Sequence, residues 1–478
     1  MAEPGSKPTP VDTLDPGSQV MASRRSLVAI VAFALFVVAC TGTGTAVDPT
    51  APPDVFASTP TIGEFSPATT AGPVPTRPPE IERTEILPVD PRSLEPQAGY
   101  DPIPMGDWMW GQHSPAGGYL AALVGTTRGT SEVRLVDLAK WQVAGSWAQS
   151  PESGLLVTDD GTVYLAGSGQ FQRLRLGDTV PEEVARLPSG FQPWMISPLF
   201  DGVFAIFGTK FQPGEIASIV AIDVTTGVMN EIDLPDTRVG PLNTDSLEPG
   251  DPYITPFPVW DTAGNRALVL HGDEDVVTEV DLSTGVVTRR DLDLGDLAAD
   301  PASALQKSGS ISPDGGILYV SMQRVTSVAQ SADSQTIISE SAGVIAVDTA
   351  TWQVRSQTVE PIGQVTVSPR GDRILGWGVS VERNDDGEAE STGLFVLDAP
   401  SLTVLSRHHP NERQRWYMPF SFNDGGDIGY ATSWQSQADI EAIDLTSGEI
   451  IASIEGGETL SMFGSIGVLH ADAGTFTP

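Results

Sequence analysis

Two short motifs that alternate along most of the chain constrain its fold more than any other feature. The first is a glycine-containing turn that leads into an apolar strand. It reads SPAGGYLAALVG (114–125), TDDGTVYLAG (158–167), SPLFDGVFAIFG (197–208), DTAGNRALVLHG (261–272), SPDGGILYVS (312–321), SPRGDRILGWG (368–378) and NDGGDIGYATS (423–433). The second is a strand that ends in aspartate, turns, and runs into another strand. Its copies are EVRLVDLAKWQV (132–143), SIVAIDVTTGVM (218–229), VVTEVDLSTGVV (276–287), GVIAVDTATWQV (343–354), GLFVLDAPSLTV (393–404) and DIEAIDLTSGEI (439–450). A degenerate copy, FQRLRLGDTVPEEV (171–184), fills the gap between the first two. In the clear copies the aspartate can bond the backbone of the turn it opens, and Gly227, Gly285 and Gly448 can supply its left-handed residue. Trp141 and Trp352 stand near the position where that glycine is expected. Each motif is one hairpin, so an alternating pair makes four strands. Seven such units closing on themselves are a β-propeller. The expected fold class is therefore all-β: a seven-bladed β-propeller of four-stranded blades, preceded by a signal peptide and a disordered linker.

The pairing of S-P-D-G-x-x-L-Y-V with V-x-x-I-D-x-x-T-G-x-V resembles the YVTN and TolB-like (WD40-like) family of bacterial seven-bladed propellers. The likeness spans roughly residues 105–475 and is clearest at 312–321 with 343–354. It implies a scaffold for binding a ligand or a protein, without a defined chemistry.

Ahead of the repeats, the chain from Met21 reads MASRRSLVAIVAFALFVVACTGTG. Arg24 and Arg25 precede a short apolar run, which is a secretory-signal pattern below the roughly 20 residues of a membrane span. Met21 is a better start than Met1. Val37-Val38-Ala39-Cys40 resembles the lipobox of bacterial lipoproteins, which implies cleavage before Cys40 and a lipid on its thiol. Cys40 is the only cysteine, so no intramolecular disulfide forms. Residues 40–99 are rich in Pro, Thr and Ala, a composition that solvates rather than folds, although IERTEILPVD (81–90) has some apolar character and packing of part of 80–98 on the folded domain stays open. The expected organisation is an extension and signal peptide at 1–39, a flexible tether at 40–99 and the propeller at 100–478. The expected location is the extracytoplasmic face of the cell membrane, as a lipid-anchored monomer.

With 26 Lys plus Arg against 62 Asp plus Glu, the net charge of −36 disfavours nucleic acid as a partner. Against that background the stretch SRHHPNERQRWY (406–417) is a local knot of base. In a four-stranded blade, the turns joining strands one to two and three to four share one rim. Connections between strands two and three, and between blades, share the other. All long insertions in this sequence are of the second kind: 233–253, 291–307, 322–343 and 381–392. Variable loops on a rigid scaffold are where binding resides. The basic knot joins blade six to blade seven on this elaborated rim, near the channel mouth.

Arg407, Arg413 and Arg415, with His408 and His409, form a candidate anion or acidic-glycan subsite. Pairing of these arginines with the protein's own carboxylates is the competing reading. Trp110, Trp194, Trp260 and Trp416 sit at or near innermost strands, as a candidate ring for stacking on a sugar or accepting an apolar side chain. Blade-to-blade packing is the alternative for them. The C-terminal stretch 458–474 is expected to add a strand to blade one beside Met109–His113.

No G-x-S-x-G, H-E-x-x-H or C-x-x-C pattern is present. Ser312-Pro-Asp-Gly-Gly-Ile-Leu-Tyr319 fits the Asp-box pattern, but a hairpin turn already accounts for it. No catalytic residue, metal or cofactor is assigned. The favoured function is non-catalytic binding of a protein, peptide or cell-envelope glycan at the elaborated rim. The alternative is a propeller hydrolase or lyase acting on an extracellular carbohydrate or lactone.

Overall fold

The computed structural model describes residues 55–58, 84–458 and 468–469, except 96, 115–116, 126–130, 150–153, 168, 201, 211–215, 242–252, 295–303, 332–333, 381–389, 411–415, 424 and 435–436. The signal segment, Cys40 and most of the tether lie outside the described residues.

The alternating hairpins form seven four-stranded antiparallel blades, each meandering in sequence order. Blade one runs from Ile103–His113 to Gln142–Gln149, blade two from Gly154–Val157 to Glu182–Arg186, and blade three from Phe191–Ile196 to Met229–Arg238. Blade four runs from Phe257–Asp261 to Val287–Asp291, and blade five from Ala304–Ile311 to Val354–Thr358. Blade six runs from Gln364–Val367 to Val404–His408, and blade seven from Trp416–Phe422 to Glu449–Glu458. The fold is all-β, with the seven-bladed propeller expected from the repeats.

The first strands of blades four, five and six pack on one another, which places first strands at the axis and fourth strands at the circumference. Burial follows that order. Phe257–Asp261 is buried along its whole length, whereas Val354–Thr358 and Val404–His408 alternate between half-buried and exposed positions. An inner strand is covered on both faces and can be apolar throughout; an outer strand shows one face to water and must alternate.

The aspartate turns close as their residue types dictate. Asp223 Oδ1 accepts the Thr225 and Thr226 amides at 2.8 and 2.9 Å, and Asp444 Oδ1 accepts those of Thr446 and Ser447 at 2.9 Å each. Asp281 and Asp348 do the same. The left-handed position holds Gly227, Gly285 and Gly448 at φ of 70°, 72° and 75°, but Trp141, Trp352 and Leu402 at 51°, 58° and 55°. The two tryptophans are held there by what their rings reach. Trp352 lies under the Arg290 guanidinium of blade four's outer strand, 5.6 Å from the ring centroid. Trp141 meets Tyr100 edge-on at 5.5 Å, and its Nε1 donates to the Asp101 carbonyl at 2.7 Å.

Backbone amides hold these carboxyls below the usual range. The bond from Thr351 leads for Asp348, lowering it from 3.8 to about 2. Asp223 and Asp444 are lowered as well, led by turn amides, and Asp281 by the Ser283 hydroxyl first and then the turn amides. A folded-state value below the unfolded one contributes stability above the unfolded value, lost as pH falls through the folded one. Urea midpoints should therefore drop between pH of about 4 and about 2. The quadruple variant Asp223→Asn, Asp281→Asn, Asp348→Asn, Asp444→Asn should flatten that drop, because the amide still accepts but does not titrate. An equal drop in the variant would place the acid sensitivity elsewhere.

The ring closes through the segment expected to be tether. Thr84–Pro88 pairs with the start of blade one's first strand, Ile86 opposite Ile103. Val55–Ser58 pairs with Thr84–Pro88, and Val468–Leu469 pairs with Val55 and Phe56. Of the C-terminal stretch expected beside Met109–His113, the described residues Val468–Leu469 pair instead with Val55 and Phe56, two strands out from blade one, where Thr84–Pro88 pairs with Ile103–Gly106; the rest of 459–474 lies outside the described residues. Farther on, Val89 and Leu94 are buried against Ile428, Tyr430, Ile440 and Ala442 of blade seven. Tyr430 Oη donates to the Pro91 carbonyl at 2.9 Å, and Arg92 pairs with Asp427 at 2.5 Å and Asp444 at 3.5 Å. Residues 84–95 thus bridge blades seven and one, ahead of the boundary expected at residue 100.

Candidate functional site

The two rims differ as the loop lengths imply. Turns joining strands one to two and three to four are short and spend their polar side chains on their own backbone. Ser312 Oγ, for example, accepts the Ile317 amide at 2.8 Å while Asp314 accepts that of Gly316 at 3.0 Å. On the other rim, blade five extends its second and third strands to fifteen residues each, Ile317–Ser331 and Ser334–Asp348. The insertion at 322–343 is thus a paired hairpin rather than a loop, with register running from Met322 opposite Gly343 out to Ser331 opposite Ser334.

The described part of the basic knot, Arg407 to His409, sends its side chains different ways. Arg407 and His408 end the outermost strand of blade six, at the circumference rather than at the channel mouth. Successive strand residues face opposite ways. Arg407 lies over the Phe395 ring, 5.1 Å from its centroid, and its Nε donates to the Thr392 carbonyl at 2.7 Å. His408 turns to blade seven, where its Nε2 meets the Gly448 carbonyl at 2.6 Å. His409 leaves the strand with φ of 50°, and its Nε2 lies 2.8 Å from Oε1 of the buried Glu441 on blade seven. Three adjacent residues therefore serve three different internal contacts. Arg413 and Arg415 lie outside the described residues.

Of the expected tryptophan ring, Trp260 and Trp194 are engaged in packing. Trp260 is only 4% exposed, within the core shared by blades three to five. Trp194 is half-buried and meets Phe207 edge-on at 5.9 Å. Trp110 pairs with Leu123 inside blade one, and Trp416 opens blade seven's first strand opposite Trp434.

One polar cluster on the elaborated rim was not foreseen. The tight connection between strands two and three of blade four carries His271, Asp273, Glu274 and Asp275, and Lys307 comes from the first strand of blade five. The Lys307 side chain is 1% exposed. Its ammonium reaches the His271 carbonyl at 3.1 Å, the Glu274 carbonyl at 2.9 Å and Asp275 Oδ1 at 3.3 Å. Burial pulls the lysine below its usual range and pushes Asp273 up. Burial also takes His271 down to about 4, so its ring is neutral, with Nε2 at 2.7 Å from Thr278 Oγ1 and 3.2 Å from Thr237 Oγ1. An ammonium has three donors and here finds three acceptors. Lys307 accordingly pins blade four's connection to blade five's inner strand and is not poised as a nucleophile. The available signal was a lysine, one of four in the chain, on an otherwise apolar inner strand.

No protein-family model matches the sequence, and no curated protein does. Among solved structures it is similar to the dihydro-heme d1 dehydrogenase NirN in complex with DHE, at 13% identity, 93% of this chain, 86% of that chain and a TM-score of 0.53. It is also similar to the WD40 domain of SCAP from fission yeast, at 11% identity, 78% of this chain, 94% of that one and a TM-score of 0.44. An oligogalacturonate lyase in complex with manganese is matched at 12% identity, 80% of this chain, 94% of that one and a TM-score of 0.42. The class, β-propeller, is defined by the seven four-stranded blades themselves. At such identities the likenesses carry nothing of the activity.

Proposed function

We propose that the chain is a lipid-anchored, extracytoplasmic module that binds a protein or peptide, without catalysis, on the rim bearing the connections between strands two and three. The observation that carries this reading is the inequality of the rims: one is closed on itself by short self-bonded turns, while the other projects the blade-five hairpin, Ile317–Ser331 with Ser334–Asp348. The anchor rests on the lipobox-like residues ending at Cys40, and changing Cys40→Ala should release the chain from the membrane fraction. A variant that stays with the membrane would remove the anchor from the reading.

A protein partner is favoured over a glycan by the disposition of the expected sugar-binding groups. Trp260 and Trp194 are committed to packing, and Arg407 and His408 to contacts within the disc. The test is a binding screen of the purified full-length chain against envelope proteins and wall glycans, with Arg407→Ala in parallel. Saturable protein ligands that the variant retains are expected. Acidic glycans alone, lost in the variant, would contradict the proposal.

A further inference from the structure

The blade-five hairpin continues well past its blade. The first strand of blade five pairs with the second only as far as Ala304 opposite Val325, and the fourth strand pairs with the third only from Val344 inward. From Thr326 opposite Ile338 to Ser331 opposite Ser334, the hairpin is a two-stranded ribbon with no further strand beside it among the described residues. At ~3.3 Å per residue it projects about 20 Å. Its base is fixed by a bulge after Met322 and by Arg324, whose guanidinium lies 3.4 Å from Glu340.

Every second amide and carbonyl of such a ribbon points sideways from an open edge. Proteins that must keep such edges apart place Lys, Pro or several charges on them. Between Val325 and Ser339 this chain has one charged residue, Asp333, and neither Lys nor Pro. The edge is thus unguarded in a chain whose neighbouring connections are strongly charged. On blade four's side, 233–253 has five acids to one base, 291–307 four to one, and 271–275 three acids. On blade six's side, 381–392 has five acids to one base.

We infer that the blade-five ribbon is a docking edge on which a partner protein adds an extended segment as a further strand, and that this segment is basic. The inference rests on the proposed binding rim and names its partner. Backbone pairing to the neutral ribbon supplies the contact, and the acidic connections on either side select the charge. A second copy of this chain is a poor occupant, because it would bring two acidic rims together.

The test uses two short synthetic peptides, one alternating Lys with Val and Thr and the other carrying Glu in place of Lys, titrated against the full-length chain by fluorescence anisotropy. The Lys probe should bind at least tenfold tighter than the Glu probe and weaken as salt rises. Variants Ser327→Pro and Val328→Pro are made separately. Neighbouring amides face opposite edges, so one proline blocks the outer edge of 326–331, where the added strand is expected to pair, and the other breaks the ribbon; both should lose the Lys probe while the melting temperature stays put. Equal binding by wild type and both variants would overturn the docking edge yet leave the broader rim reading standing, to be judged by the protein and glycan screen. Binding of neither probe, or a dimer that the prolines dissolve, would also overturn it.

Discussion

A chain beginning at residue 98 will melt roughly 5–10 °C below one beginning at residue 84. Both retain all seven blades, so the contrast isolates the bridge between blades seven and one. Ile86, Val89 and Leu94 are each at most 1% exposed, and a fully buried aliphatic side chain contributes roughly 1.5–3 kcal/mol. Removing them also uncovers the apolar face made by Ile428, Tyr430, Ile440 and Ala442. The ordering entropy released on truncation offsets part of this loss. In a domain this large each kcal/mol shifts the midpoint by only about 1–2 °C, which gives the stated range. Leu94→Ala within the longer chain should reproduce about a third of the effect. Equal melting of the two truncations would mean that the blades close the ring without the bridge.

The second large effect is at Lys307. Its replacement by Met keeps the volume but leaves the His271 and Glu274 carbonyls without their shared donor, together with Asp275. Breaking a buried charged contact from one side costs about 3 kcal/mol. The urea midpoint should fall accordingly, with the slope unchanged. The same cluster sets a pH signature. Burial lowers His271 from 6.5 to about 4, so the unfolded state binds the extra proton between those values, and stability declines as pH falls across that window. His271→Gln should remove this decline while leaving the later one from the aspartate turns. A wild-type midpoint that is flat from pH 7 to 5 would contradict the neutral buried ring.

What the sequence made legible was local. Asp223, Asp281, Asp348 and Asp444 bond amides two and three residues on, so their turns, and with them the strand order, follow from adjacent residues. The closing bridge was half legible: IERTEILPVD shows apolar character, but Val89 and Leu94 are isolated among prolines and charges, and their partners lie in the last blade. The Lys307 cluster joins residues of two blades across an insertion, and no periodicity marks such a meeting. In the described part of the basic knot, strand alternation sends Arg407 toward Phe395 and His408 toward Gly448, and the left-handed turn at His409 delivers it to Glu441. Adjacency in sequence became separation in space.

The central claim is that the two rims have different tasks. Its most direct measurement places a photocrosslinking residue at Ser334 on the blade-five hairpin and, in a second chain, at Ser447 on the opposite rim, with irradiation in intact cells. The account predicts a discrete crosslinked partner from position 334 and none from position 447. A partner captured from position 447 alone would contradict it.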